Sequence, residues 1–124
     1  MTKKVIVVDD EPGVTYTVKH GLESLDPDYH VLVAENGKKC FELLEGKQIP
    51  DLILLDIMMP EMTGWEVQKK LKEHKEWRTI PVVFLTARLD RVAKNAGSFI
   101  GDDFIEKPVK ITELKQRLDK ILKK

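Results

Sequence analysis

Five side chains in this sequence could do chemistry together: Asp9, Asp10, Asp56, Thr86 and Lys107. Each stands at the end of an apolar run. Asp9-Asp10-Glu11 follows Val5-Ile6-Val7-Val8, Asp56 follows Leu52-Ile53-Leu54-Leu55, Thr86 follows Pro81-Val82-Val83-Phe84-Leu85, and Lys107 comes just after Asp103-Phe104-Ile105. Short runs of this kind suit strands buried on both faces of a parallel sheet. The carboxyl ends of such strands share one edge, where open α/β folds bind their ligands. Three carboxylates there repel each other and are costly to bury without a cation. Oxygen donors with no His or Cys among them favour a hard ion. Magnesium suits, because it takes one or two protein carboxylates plus water and phosphate oxygens. Lys107 adds a point charge suited to a phosphoryl group, and Thr86 a neutral hydroxyl donor. Metal, amine and hydroxyl around one carboxylate make a site for phosphoryl transfer to that carboxylate.

Each residue has a plainer reading when taken singly. Asp56 ends a strand, Asp9-Asp10 caps the first helix, Thr86 is a β-branched strand residue, Lys107 is a solvated loop lysine, and Phe104 is a core aromatic. The chemical reading rests on four strand ends carrying matching groups.

The elements that must position these groups alternate along the chain. After the first run, Pro12 fits the first turn of a helix, and Val14, Val18, Leu22 and Leu25 recur at helical spacing. Asp26-Pro27-Asp28 is a turn, and Tyr29 to Ala34 a second strand. Asn36 can cap a helix carrying Cys40, Leu43 and Leu44, with Gly46 near its end. Pro60 and Gly64 break the chain after Asp56. Thr63-Gly64-Trp65-Glu66 matches a capping box that opens a helix with Val67 and Leu71 on one face. A fourth helix is expected around Leu89 to Ala96, stopped by Gly97. The last helix carries Ile111, Leu114, Leu118 and Ile121. Five strand–helix alternations imply a parallel sheet with right-handed crossovers, and so a three-layer α/β sandwich.

Size and charge narrow the rest. The 124 residues fit one domain, spanning residues 1–124. Lys plus Arg equals Asp plus Glu, 21 against 21, so net charge gives no sign of direct nucleic-acid or membrane binding. The lone cysteine, Cys40, excludes an internal disulfide and suggests a reducing compartment. Only four apolar residues precede Asp9, too few for a signal peptide or membrane span. A cytoplasmic protein is expected.

The pattern resembles the receiver domain of two-component response regulators, over nearly the whole chain. The resemblance rests on Val7-Val8-Asp9-Asp10-Glu11, on Leu54-Leu55-Asp56-Ile57-Met58-Met59-Pro60 with Gly64, on Leu85-Thr86-Ala87, and on Asp102-Asp103-Phe104-Ile105-Glu106-Lys107-Pro108. It implies the flavodoxin-like strand order 2-1-3-4-5, with the site at the switch point between strands one and three. It implies that Asp56 takes a phosphoryl group from a histidine kinase or phosphotransfer protein. The domain would be no enzyme beyond its own phosphorylation and dephosphorylation. Asp10, Asp56 and the backbone carbonyl of Met58 would bind magnesium, with Asp9 acting through water. Lys107 would pair with the phosphoryl oxygens and Thr86 would hydrogen-bond to them. Movement of Thr86 would let Phe104, at the switch-aromatic position, turn inward and reshape the surface of the fourth helix, fifth strand and fifth helix. The resemblance also leaves open a monomer or a phosphorylation-dependent dimer, and a stand-alone relay or a piece of a longer regulator.

Two stretches depart from the common pattern. Met58, two after Asp56, and Arg88, two after Thr86, are expected to influence the phosphoryl lifetime by shaping water's access. Ser98-Phe99-Ile100-Gly101 replaces a frequent Gly-Ala before the acidic pair and bears on the register of the fourth helix. Three rivals are weighed. A haloacid-dehalogenase-like phosphatase would need a second aspartate where Met58 stands. A flavodoxin-like electron carrier would need a hydroxyl- and Gly-rich loop where Asp9-Asp10-Glu11-Pro12 stands. A non-phosphorylatable docking module would not need the complete acidic set.

Overall fold

A computed structural model describes residues 2–87 and 103–123. Five strands form one parallel sheet: β1 (Lys3–Val8), β2 (Tyr29–Ala34), β3 (Leu52–Asp56), β4 (Val82–Thr86) and β5 (Asp103–Glu106). Their order is β2-β1-β3-β4-β5. Four helices are described: α1 (Pro12–Leu25), α2 (Gly37–Glu45), α3 (Gly64–Glu73) and α4 (Ile111–Leu122). The helix expected around 89–96, its register, and Arg88 lie outside the described residues.

The strands read as unbroken apolar runs because both faces of the sheet are covered. Successive side chains point to opposite faces. Ile6, Val8, Ile53, Leu55 and Phe84 therefore pack with Cys40 and Leu44 of α2 and with Val67 and Leu71 of α3. The intervening Val5, Val7, Leu52, Leu54, Val83 and Leu85 pack with Val18 and Leu22 of α1 and with Leu114 and Leu118 of α4. Every residue of β3 and β4 is buried. Side chains of this kind contribute about 1.5–3 kcal/mol each on full burial, so the two layers clamp the sheet between its helices and fix where its edge residues sit.

Helix starts follow local chemistry. The Asn36 side chain accepts from the Lys39 N–H at 2.8 Å. Thr63 and Glu66 form the reciprocal capping box, at 3.3 and 2.9 Å. At α1 the expectation that Asp9-Asp10 caps the helix is not met. Glu11 is the residue before the first turn, and its side chain makes no capping bond.

The outer rims of the sheet are held by side chains from the helices and, at β5, from the strand itself. At Val31 of β2, Glu23 accepts from the backbone N–H at 2.9 Å and Lys19 donates to the carbonyl at 2.9 Å. At Phe104 of β5, Arg117 donates to the carbonyl at 2.7 Å and Asp103 accepts from the N–H at 2.8 Å.

Candidate functional site

The register brings the sequence's chemical residues to one edge. Asp56 is the last residue of β3 and stands beside Leu85 of β4. Thr86 ends β4. The Lys107 N–H donates to the Thr86 carbonyl at 2.7 Å, which ties the chain leaving β5 to the end of β4. The Lys107–Pro108 bond is cis. Asp9 follows β1, and its N–H donates to Ala34 at 3.1 Å. The β3–α3 loop folds back closely: the Gly64 N–H donates to Ile57 at 2.8 Å. A Cβ at Gly64 would collide with the Asp56 carbonyl oxygen and lie 2.8 Å from Ile57 Cα. Gly64 is therefore required by close approach to the acid-bearing strand, not by an unusual φ.

Lys107 is the hub. Its Nζ lies 2.7 Å from Glu11 Oε1, 2.9 Å from Asp9 Oδ2 and 3.4 Å from Asp56 Oδ1. Of these, the Glu11 contact has hydrogen-bond geometry. Asp9 Oδ1 accepts from the Glu11 N–H at 2.9 Å. Asp9 Oδ2 is buried and lies 2.9 Å from the ammonium, off the line of a well-formed hydrogen bond. Asp9 and Asp56 are almost fully buried, whereas the Glu11 side chain is 62% exposed.

Burial pushes the Asp56 carboxyl up to about 6; the negative charge of Asp9 adds to this and Lys107 opposes it. Burial pulls the Lys107 amine down. Its contacts with Glu11 and Asp9, and the charges of Asp56 and Asp9, outweigh burial and hold it above its ordinary value. The amine therefore stays charged wherever the carboxylates are.

Carboxylate oxygens of Asp9, Glu11 and Asp56 all lie within 4.8 Å of one another. The donors are oxygens only, and one is the orphaned, buried Asp9 Oδ2. Both features fit a hard divalent cation at Asp9 and Asp56, the exposed Glu11 oxygen being already taken by Lys107. Asp10, expected among the direct ligands, is exposed and stands outside that tight group, although its charge still raises Asp56. The Met58 side chain is 76% exposed on the loop after β3. Glu11 was not singled out by sequence reasoning. Its only signal was a third acid directly before Pro12.

Phe104 pairs in register with Phe84, and the two rings stack at 5.4 Å and 21°. Thr86 pairs with Glu106, two residues further along. Phe104 therefore shares a face with Thr86, one pleat back from the edge on the adjacent strand.

The chain is similar to known proteins of one family. A family model described as the response regulator receiver domain matches residues 5–119. The alkaline phosphatase synthesis transcriptional regulatory protein PhoP of Bacillus subtilis is 35% identical over 125 residues, covering 100% of this chain and 50% of that protein. A histidine kinase of Formosa agariphila is 37% identical over 119 residues, covering 95% of this chain and 8% of that protein. The chain thus spans half or less of these curated relatives. Among solved structures, the receiver domain of a signal transduction histidine kinase from Syntrophus aciditrophicus superposes with a TM-score of 0.82 at 32% identity, covering 98% of this chain and 91% of that one. The receiver domain of a sensor histidine kinase from Pseudomonas aeruginosa, with a magnesium ion coordinated in its active-site cleft, has a TM-score of 0.86 at 25% identity and covers 100% of both chains. Among the described residues no helix is long and apolar enough to cross a membrane.

Proposed function

The chain belongs to the response-regulator receiver-domain family, and from that premise we propose that Asp56 is its phosphoacceptor, served by Lys107 and Thr86. The domain works in two-component phosphorelay signalling, with a histidine kinase or phosphotransfer protein as donor. In the transfer, an Asp56 oxygen forms a bond to phosphorus as the donor's P–N bond breaks. The bonding pair stays on the imidazole nitrogen, which takes up a proton.

What supports this reading above all is the Lys107 ammonium, within 3.4 Å of Asp56 and 2.9 Å of Asp9 although it comes from a different strand end. Nucleophile and phosphoryl group are both anionic, and a cation fixed beside the carboxylate offsets the repulsion most where charge concentrates in the transition state. A bound magnesium ion would supply further neutralising charge and orient phosphoryl oxygens. Asp9, Asp10 and Asp56, with the Met58 carbonyl, would hold it. Thr86 would donate its hydroxyl to the phosphoryl oxygens. Its shift toward them would open space on the face it shares with Phe104. An inward turn of Phe104 would be confined to its ring, since its backbone is held on both sides by Asp103 and Arg117. The readout surface would include β5 and α4, by a shift between two packings.

Acetyl phosphate carrying labelled phosphorus, with magnesium, tests the assignment. Label should enter the wild-type chain as a hydroxylamine-sensitive acyl phosphate, with acetate released, and should be absent from Asp56→Asn. Equal labelling of Asp56→Asn would overturn it.

A further inference from the structure

We propose that Glu11 is a positioning residue that holds the Lys107 amine away from Asp56 in the unphosphorylated chain and has to let go before Lys107 can pair with a phosphoryl group. The inference rests on Asp56 being the phosphoacceptor.

The geometry carries it. The amine lies 2.7 Å from Glu11 but 3.4 Å from Asp56. Its one directed hydrogen bond to these three carboxylates goes to Glu11, while the buried Asp9 Oδ2, at 2.9 Å, is left without any. A lysine free to choose would donate to the desolvated carboxylate, where a missing hydrogen bond is most costly. The amine is instead turned toward the most exposed of its three partners.

Glu11 is built for the task. Its N–H is fixed by Asp9 Oδ1 at 2.9 Å, and its carbonyl accepts from Val14 and Thr15 at 3.0 and 3.3 Å. The backbone is therefore held, and only the side-chain torsions can swing. The carboxylate stands at the start of α1, where an acid is favoured by the helix dipole, yet it leaves the first-turn N–H groups alone and reaches Lys107 across 96 residues. When a phosphoryl group arrives on Asp56, the amine needs an N–H free to donate to it. Asp9 has no other described countercharge in contact, so Glu11, with water at hand, is the partner that can be released.

Beryllofluoride, as a phosphoryl mimic, and magnesium alone are titrated separately into wild type, Glu11→Gln, Glu11→Asp and Asp56→Asn, followed by tryptophan fluorescence. A melting curve confirms that each variant is folded. At saturating magnesium, the beryllofluoride midpoint should fall about two- to fivefold in Glu11→Gln, the range expected for loss of a partly exposed ion pair. Glu11→Asp, too short to reach the amine, should shift the same way. Magnesium affinity should hold within twofold. An unchanged or raised beryllofluoride midpoint would overturn the latch. A magnesium affinity lowered severalfold would overturn it too, and make Glu11 a ligand to the ion. Beryllofluoride binding that persists in Asp56→Asn would instead sink the phosphoacceptor reading on which the latch depends.

Discussion

Two lysines sit among carboxylates at opposite edges of the same sheet, and the chain treats them differently. At the amino edge, Lys3 Nζ lies 3.3 Å from Asp26 and 3.1 Å from Asp119, and Lys115 lies 2.6 Å from Asp119. The buried Tyr29 hydroxyl donates to Asp119 at 2.6 Å. Two cations meet two anions there, and the anions are content. The bonds from Lys115, Tyr29 and Lys3 overcome the effect of burial and hold Asp119 down at about 2. At the carboxyl edge one lysine faces Asp9, Glu11 and Asp56, with Asp10 close enough to be felt, and Asp56 is pushed up to about 6. Balanced charge fastens the ends of β1, α1 and α4. Unbalanced charge leaves a place that favours another cation and a carboxylate that is not fully quenched.

The largest separation between the two edges should come from removing the lysines. Lys107→Ala leaves two buried carboxylates facing each other and should destabilise the metal-free chain by about 3 kcal/mol or more, with partial recovery in magnesium. Lys3→Ala, at a partly solvated pair, should lose about 1 kcal/mol and gain nothing specific from the ion. Urea unfolding with and without magnesium measures both, and equal losses would break the comparison.

The same amide substitution should next have opposite signs. Asp56 is raised from 3.8 to about 6, so the folded chain binds the extra proton between about pH 4 and 6. Stability is full below that window and lost as pH rises through it. Asp56→Asn should therefore stabilise the metal-free chain by about 1–3 kcal/mol at pH 7, with the gain vanishing below about pH 4. Asp119 is lowered from 3.8 to about 2; its contribution is full above about pH 4 and is lost as pH falls toward 2. Asp119→Asn should lower stability at pH 7 by about 1–2 kcal/mol, allowing for its partial exposure. Urea midpoints across pH 3–8 show whether the two curves cross as required.

The smallest effect is expected away from the carboxyl edge, at the end of α2. Helix α2 ends with Lys47 and Gln48 donating to Leu44 and Leu43, both at 3.0 Å, and Lys47 has φ 69°. That left-handed position favours glycine. Lys47→Gly should raise stability by about 0.5 kcal/mol and leave acetyl phosphate labelling unchanged; a loss of stability would contradict it.

Much of the carboxyl edge was legible because burial on both faces forces contiguous apolar residues, and the polar residue that ends such a run marks the strand's end. That logic found Asp9, Asp56, Thr86 and, one residue beyond β5, Lys107. It did not find Glu11, because a contact across 96 residues depends on one side-chain rotamer. It overlooked the amino-edge cluster for the same reason: Asp119 reads as an ordinary helix-surface charge until the fold brings Lys3 and Tyr29 to it. Gly46 closes α2 as expected, but the left-handed position falls one residue later, on Lys47, which nothing in the sequence marked.

The backbone of both outermost strands is already engaged at its midpoint, by Glu23 and Lys19 at Val31 and by Arg117 and Asp103 at Phe104. An incoming chain therefore meets an edge ladder that is interrupted at those two residues. On the proposed reading, a chemical event near Asp56 would speak to a partner through side chains on β5, the helices and the loops, without unzipping the architecture beneath them.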